Sequence, residues 1–172
     1  MDRAVAEAPS SGWQVWTHGN GDAAVDSSLD AYEKALAHAA RTDHRHRIEH
    51  RQTAGEDQLD RTEELGIAVS FVAPHVWYWG QALDIFLDSK RAARMDPLTS
   101  ALGRGIWFGL HNDSPMSLIS PLLSISAAVS RRTSGGKDLG SGQAMPVDQA
   151  LGSVALDSAY LAFEEELKGT LI

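Results

Sequence analysis

Trp13-Gln14-Val15-Trp16-Thr17-His18, Arg47-Ile48-Glu49-His50 and Ile106-Trp107-Phe108-Gly109-Leu110-His111-Asn112-Asp113 share one plan. Each is a short run of β-favouring residues that closes on a side chain able to bind a metal. Each stands where a buried strand would stop and a loop would begin. Two histidines and an aspartate at successive strand ends are what a parallel barrel presents on its catalytic face.

The rest of the chain fits between these runs. Met1–Gly12 is polar and closes on Pro9-Ser10-Ser11-Gly12, so it is expected to be a helix end or a loose arm over residues 1–12. His18-Gly19-Asn20-Gly21-Asp22 is a glycine-rich loop. From Asp22, apolar residues at Val25, Leu29, Tyr32, Ala35, Leu36 and Ala39 recur at helical spacing to about Ala40. A charged connection, Arg41–Arg45, leads to the second strand. Asp57–Leu65 reads as a helix stopped by Gly66, and Ile67–Val72 as a strand. Pro74–Gly80 is expected to be an aromatic loop. Leu83–Met95 is helical with a break near Asp88, and Pro97–Leu102 is a short helix. After the fourth strand, Leu118–Arg131 is a helix with Leu122, Ile125, Ala128 and Val129 on its buried stripe. Residues 133–143 form a flexible Gly/Ser loop. Pro146–Phe163 is a helix burying Val147, Ala150, Leu151, Val154 and Leu161.

The order is β-α-β-α-β-α-β-α, which implies right-handed βαβ units and a parallel sheet. The fold class is therefore α/β, with residues 1–172 in a single domain. Four such units are half of an eight-unit barrel, whose full form needs about 250 residues.

Composition narrows the function classes. The 172 residues are 43% hydrophobic and 22% charged, ordinary for a globular protein. The net charge of −8 argues against a nucleic-acid partner, which calls for a basic surface. With no cysteine, thiolate zinc sites, disulfides and a cysteine nucleophile are excluded, so a metal must sit on imidazole and carboxylate. No apolar stretch reaches the roughly 18 residues of a membrane span. The first residues lack the apolar core of a secretory signal, and the expectation is a cytoplasmic protein without membrane contact.

On residues alone, His18, His50 and Asp113 are candidate metal ligands, zinc first among divalent ions. Asp113 is also the candidate catalytic base, able to take a proton from a bound water and pass it to a leaving nitrogen. Their separation in sequence is large and no local motif such as HExxH joins them, so hydrogen-bonded structural roles stay open. His75, amid Trp77, Tyr78 and Trp79, either contacts substrate together with Trp77 or packs within its loop. Asn20 and Asp22 either orient His18 from behind or serve the helix start, Asp22 as its cap. Strand alternation is expected to turn His111 away from the surroundings of Asp113. His44-Arg45-His46-Arg47 reads as a solvated basic loop or an anion site, Glu49 as a partner of Arg47 or Arg51, and His38 as a surface residue of its helix. Arg131-Arg132 reads as the cationic C-terminus of a helix.

Three segments carry a family resemblance. Trp16-Thr-His-Gly-Asn-Gly-Asp-Ala-Ala-Val-Asp26, Asp43-His-Arg-His-Arg-Ile-Glu-His50 and Phe108-Gly-Leu-His-Asn-Asp-Ser-Pro115 resemble the metal-dependent amidohydrolase superfamily, in particular the amidohydrolase 3 group with its deformylase-like members. Pro74-His-Val-Trp-Tyr-Trp-Gly80 and Pro121-Leu-Leu-Ser-Ile125 add to the likeness, which runs from about Gly12 to Ile172. The resemblance implies a TIM (β/α)8 barrel of which this chain is roughly the last four βα units. It implies a centre of one or two metal ions, with His18, His50 and Asp113 following the fifth, sixth and eighth barrel strands. The implied reaction is hydrolysis of a non-peptide, amide-like carbon–nitrogen bond in a small molecule by metal-activated water.

The chain also departs from that pattern. It has no counterpart of the family's His-x-His pair after the first strand, of the bridging Lys or acid after the fourth, or of the small β-sandwich. His44-Arg45-His46 precedes its strand and does not replace the pair. The expectation is a partial barrel, weak or inactive alone, that forms oligomers or needs a complementing barrel half. The alternative is a non-catalytic remnant or interaction module that keeps the fold without the chemistry.

Overall fold

A computed structural model describes residues 2–37 and 43–170 of the chain. His38, the expected helix end near Ala40, and Arg41 lie outside the described residues. Four strands form one sheet in chain order: β1 (Trp16–Gly19), β2 (Arg47–His50), β3 (Ala68–Phe71) and β4 (Phe108–Leu110). All three pairings are parallel, with His18 opposite Glu49, Glu49 opposite Ser70, and Ser70 opposite Gly109. Among the described residues, β1 and β4 each pair on one side only.

Among the described residues, nine α-helices accompany the strands: α1 (Asp2–Ser10), α2 (Asp22–Leu36), α3 (Glu56–Glu64), α4 (Pro74–Phe86), α5 (Ser89–Ala93), α6 (Leu98–Gly103), α7 (Pro121–Ser130), α8 (Val147–Val154) and α9 (Leu156–Tyr160). Alternation splits the sheet into two faces. Ile48, with Val25, Leu29 and Tyr32 of α2, forms one apolar cluster. Val69, Phe71, Phe108 and Leu110, with Leu59, Leu98 and Ala128, form another. The opposite face carries Trp16, His18, Arg47, Glu49 and Ser70. Arg47 bridges Glu49 at 2.5 Å and lies 3.7 Å over the Trp16 ring, as expected for Glu49.

Several helical expectations need correction. Pro74–Gly80 is no loop: Pro74 opens α4, because a proline in the first turn gives up an N–H that the helix does not use. The long C-terminal helix breaks at Ala155 into α8 and α9. Val147 and Leu151, expected inside, are 62% and 57% exposed, and Leu122 is 77% exposed, while Ala128 and Ala150 of the same expected stripes are buried. Gly21, not Asp22, caps α2. Residues 1–12 hold α1, whose Val5 is buried against α2. In the 133–143 segment, Thr133 N–H donates to Lys137, Leu139 N–H donates to Arg131, and Leu139 is buried. The expected solvated loop at His44 and His46 is in fact buried: their rings stack on each other at 4.6 Å, and His46 stacks on Tyr32 at 5.8 Å.

Arg131 is not an exposed helix-end cation. It caps α7 in the left-handed conformation (φ +52°) and is fully buried. Its guanidinium donates to the carbonyls of Leu139 (3.2 Å), Asp96 (3.2 Å) and Met95. This knot ties α7 to the turn before α6. Gly109 plays a comparable part at β4, where a Cβ would lie 2.6 Å from Ser158 Oγ and 3.3 Å from Leu161, so the absent side chain lets α9 close on the strand.

Candidate metal centre

The C-terminal ends of four neighbouring strands bring four histidines together. His18 lies within β1 rather than after it and is exposed. By alternation it shares a face with Glu49, while His50 should share the opposite face with Ile48. His50 instead takes a left-handed backbone, φ +72°. The alternation breaks there, and its ring meets His18 edge-on with centroids 4.4 Å apart. A non-glycine residue in this region is strained. Arg51 follows at φ +52°, its N–H donating back to Gly19 at 2.9 Å, so two left-handed residues turn the chain.

His111 corrects the alternation argument made for it. Gly109 and His111 continue the face of Glu49, and the His111 ring lies 5.1 Å from that of His50, with Nε2 3.9 Å from Glu49. His75, in the first turn of α4, is buried, its ring 6.4 Å from His50 and parallel to it. Its Nε2 lies 3.8 Å from Asp113 Oδ2. Asp113 is partly exposed and also left-handed, φ +54°. The turns after β2 and β4 thus place His50 and Asp113 on strained backbone.

The electrostatics favour neutral imidazoles. Burial lowers the pKa of His50, against a smaller pull upward from Asp113. Burial likewise lowers that of His75, to about 4, and that of His111. Neutral imidazole is the form that ligates a metal. His50 Nδ1, His75 Nε2 and His111 Nε2 are buried without a hydrogen-bond partner. So many unsatisfied ring nitrogens in one place point to a missing polar or ionic occupant. The donors therefore suit a borderline divalent ion in kind. They do not close around one, since the described residues contain no group of three or more His, Asp or Glu able to hold an ion unaided.

Of the other sequence-marked residues, Trp77 is 38% exposed beside His75. The Asn20 backbone carbonyl accepts from Gln52, and its side-chain oxygen is buried and unbonded. Asp22 turns to Arg91, 2.5 Å away. Gln52 escaped the sequence reading. It is buried, and its amide nitrogen lies 3.2 Å from His75 Nδ1. Its place two residues past His50 was the only signal.

Known proteins share this architecture. The family model described as "Amidohydrolase family" matches residues 1–172. The N-substituted formamide deformylase of Arthrobacter pascens is 29% identical over 99% of this chain and 31% of its own length. Protein LONG AFTER FAR-RED 3 of Arabidopsis thaliana is 36% identical over 72% of the chain and 21% of its own. The crystal structure of an uncharacterized metal-dependent hydrolase from Pyrococcus horikoshii superposes with a TM-score of 0.81 at 27% identity, over 99% of this chain and 34% of that one. The chain thus spans about a third of the proteins it matches most fully, as a set of parallel βα units from the barrel fold. It belongs to the amidohydrolase family.

Proposed function

We propose that this chain carries part of the catalytic face of a metal-dependent hydrolase acting on carbon–nitrogen, amide-like bonds of small molecules. The contact of the His18 and His50 rings, with Asp113 near enough to pull on the His50 pKa, supports the reading. His18 and His50 would offer ring nitrogens and Asp113 its side-chain oxygens to a divalent ion, with zinc the best match for that donor set. A bound ion would supply Lewis acidity and lower the pKa of a water. Asp113, its carboxylate partly exposed, would accept a proton and deliver it to a leaving nitrogen. His75 and Trp77 would border the substrate, and Asn20 would support the β1 end. Similarity to the N-substituted formamide deformylase makes N-substituted formamides the first substrates to try.

A second reading has its own support. The chain spans a third of its relatives' length, and its described donors form no closed ligand set. The fold would then persist as a barrel segment that acts with a complementing half, or as an interaction module without activity.

Hydrolysis of an N-substituted formamide by the chelator-stripped and the zinc-reloaded chain separates these readings. The catalytic reading expects slow turnover that needs zinc and is lost in Asp113→Asn. Turnover unchanged by chelation contradicts the metal assignment, and zinc binding without turnover supports the non-catalytic reading.

A further inference from the structure

Asp113 stands on left-handed backbone, φ +54°, at the start of the connection from β4 to α7. Among the described residues no hydrogen bond holds its carboxylate, and His75 Nε2, 3.8 Å from Oδ2, is beyond that reach. The aim of the side chain is therefore set by the backbone beneath it. A residue other than glycine keeps such a conformation only where its surroundings enforce it.

The enforcing contacts centre on the preceding residue. Asn112 Nδ2 donates to the Ser120 carbonyl at 3.1 Å and to Oγ of Ser124, a buried residue of α7, at 3.0 Å. A carbonyl can only accept, so the amide nitrogen must face it, and both its hydrogens are used. The Asn112 carbonyl accepts from the hydroxyl of buried Ser117. The Asp113 carbonyl accepts from Met116 N–H at 2.8 Å and Ser117 N–H at 3.3 Å. The peptide groups on both sides of the Asp113 Cα are thus fixed, and one side chain closes the 112–120 connection on itself.

We propose that Asn112 is a positioning residue for Asp113: by stapling the end of β4 to the start of α7, it holds the left-handed turn that aims the carboxylate. This rests on the reading of Asp113 as the carboxylate of the site. Asparagine is short enough to bond within its own connection, and it sets no second charge beside Asp113. An aspartate in its place would turn an oxygen toward the Ser120 carbonyl, which is repulsive.

The test is NMR of the isotope-labelled full chain, free of metal and substrate. In wild type the Asp113 amide–Hα coupling is expected to report positive φ, and the Met116 amide to exchange slowly with solvent. Asn112→Ala removes both bonds. The Asp113 coupling should then move to that of an averaged, extended backbone, and Met116 should exchange about tenfold faster, the scale of one lost hydrogen bond. Amides of β3 should keep their wild-type rates. Asn112→Asp keeps the shape without an N–H and should act alike, so it decides alone if the alanine variant does not fold. Thr99→Val deletes a comparable bond to the Ala144 carbonyl and should leave Asp113 unmoved. An Asp113 coupling and Met116 exchange unchanged in the Asn112 variants, or exchange that quickens equally in β3, overturns the proposal. Neither metal nor substrate enters the experiment, so it can succeed where the metal assignment fails, and the reverse.

Discussion

His18 and His50 meet ring to ring at 4.4 Å although alternation along their paired strands assigns them to opposite faces of the sheet. The left-handed backbone of His50 is what joins them. Asparagine tolerates that conformation and a β-branched residue does not. His50→Asn should therefore keep most of the folding stability, while His50→Val should lose about 1–2 kcal/mol more from strain. Urea denaturation of the two variants checks the order, and equal stability would show that His50 carries no backbone strain.

Asp96 supplies a pH signature. Its side chain is fully buried, neither oxygen finds a well-formed hydrogen bond, and burial pushes its pKa to about 8 despite the nearby Arg131. A carboxylate raised above its unfolded value near 4 holds its proton in the fold while the unfolded chain has released it. Its contribution to stability is present below pH 4 and is lost as pH rises toward 8. Asp96→Asn should remove that loss, leaving the variant a few kcal/mol more stable than wild type at pH 8 and close to it at pH 4. Thermal unfolding across this range measures the difference. Parallel pH profiles for the two proteins would mean that Asp96 is ionised in the fold.

The pH argument also shows what the sequence conceals. Strand runs such as Arg47–His50, and the helices between them, were legible because apolar periodicity and Gly66 at the helix stop are local signals. The places of His18, His50 and Asp113 at or near strand ends were legible. Left-handed turns were not, because His and Asp, though enriched at positive φ, adopt it too seldom to mark any one position. His111 keeps the alternation of Gly109 and so lies on the side of Glu49, where the expectation had turned it away. Gln52 and Asp96 were missed, and the burial of the helix-end Arg131 was not foreseen, for another reason: their roles come from contacts between connections distant in sequence, and a polar side chain gives no sign of which carbonyl or ring it will meet. Pro74 misled because it begins helices as readily as it breaks them.

The sheet edges make a prediction about association. β1 and β4 each present one unpaired side among the described residues. Ile85, Phe86, Ile119 and Leu122 are each more than 75% exposed. Unpaired parallel edges and exposed apolar side chains favour pairing between chains. Sedimentation velocity should show an average mass that rises with concentration. A monomer at every concentration would count against the open-edged segment.

Zinc titration by calorimetry of four proteins probes the proposed metal centre most directly: wild type, His18→Ala, His50→Ala and Asp113→Ala. One ion shared by the three side chains predicts measurable binding to wild type, weakened about tenfold or more by each substitution. Equal zinc affinity in all four would contradict it.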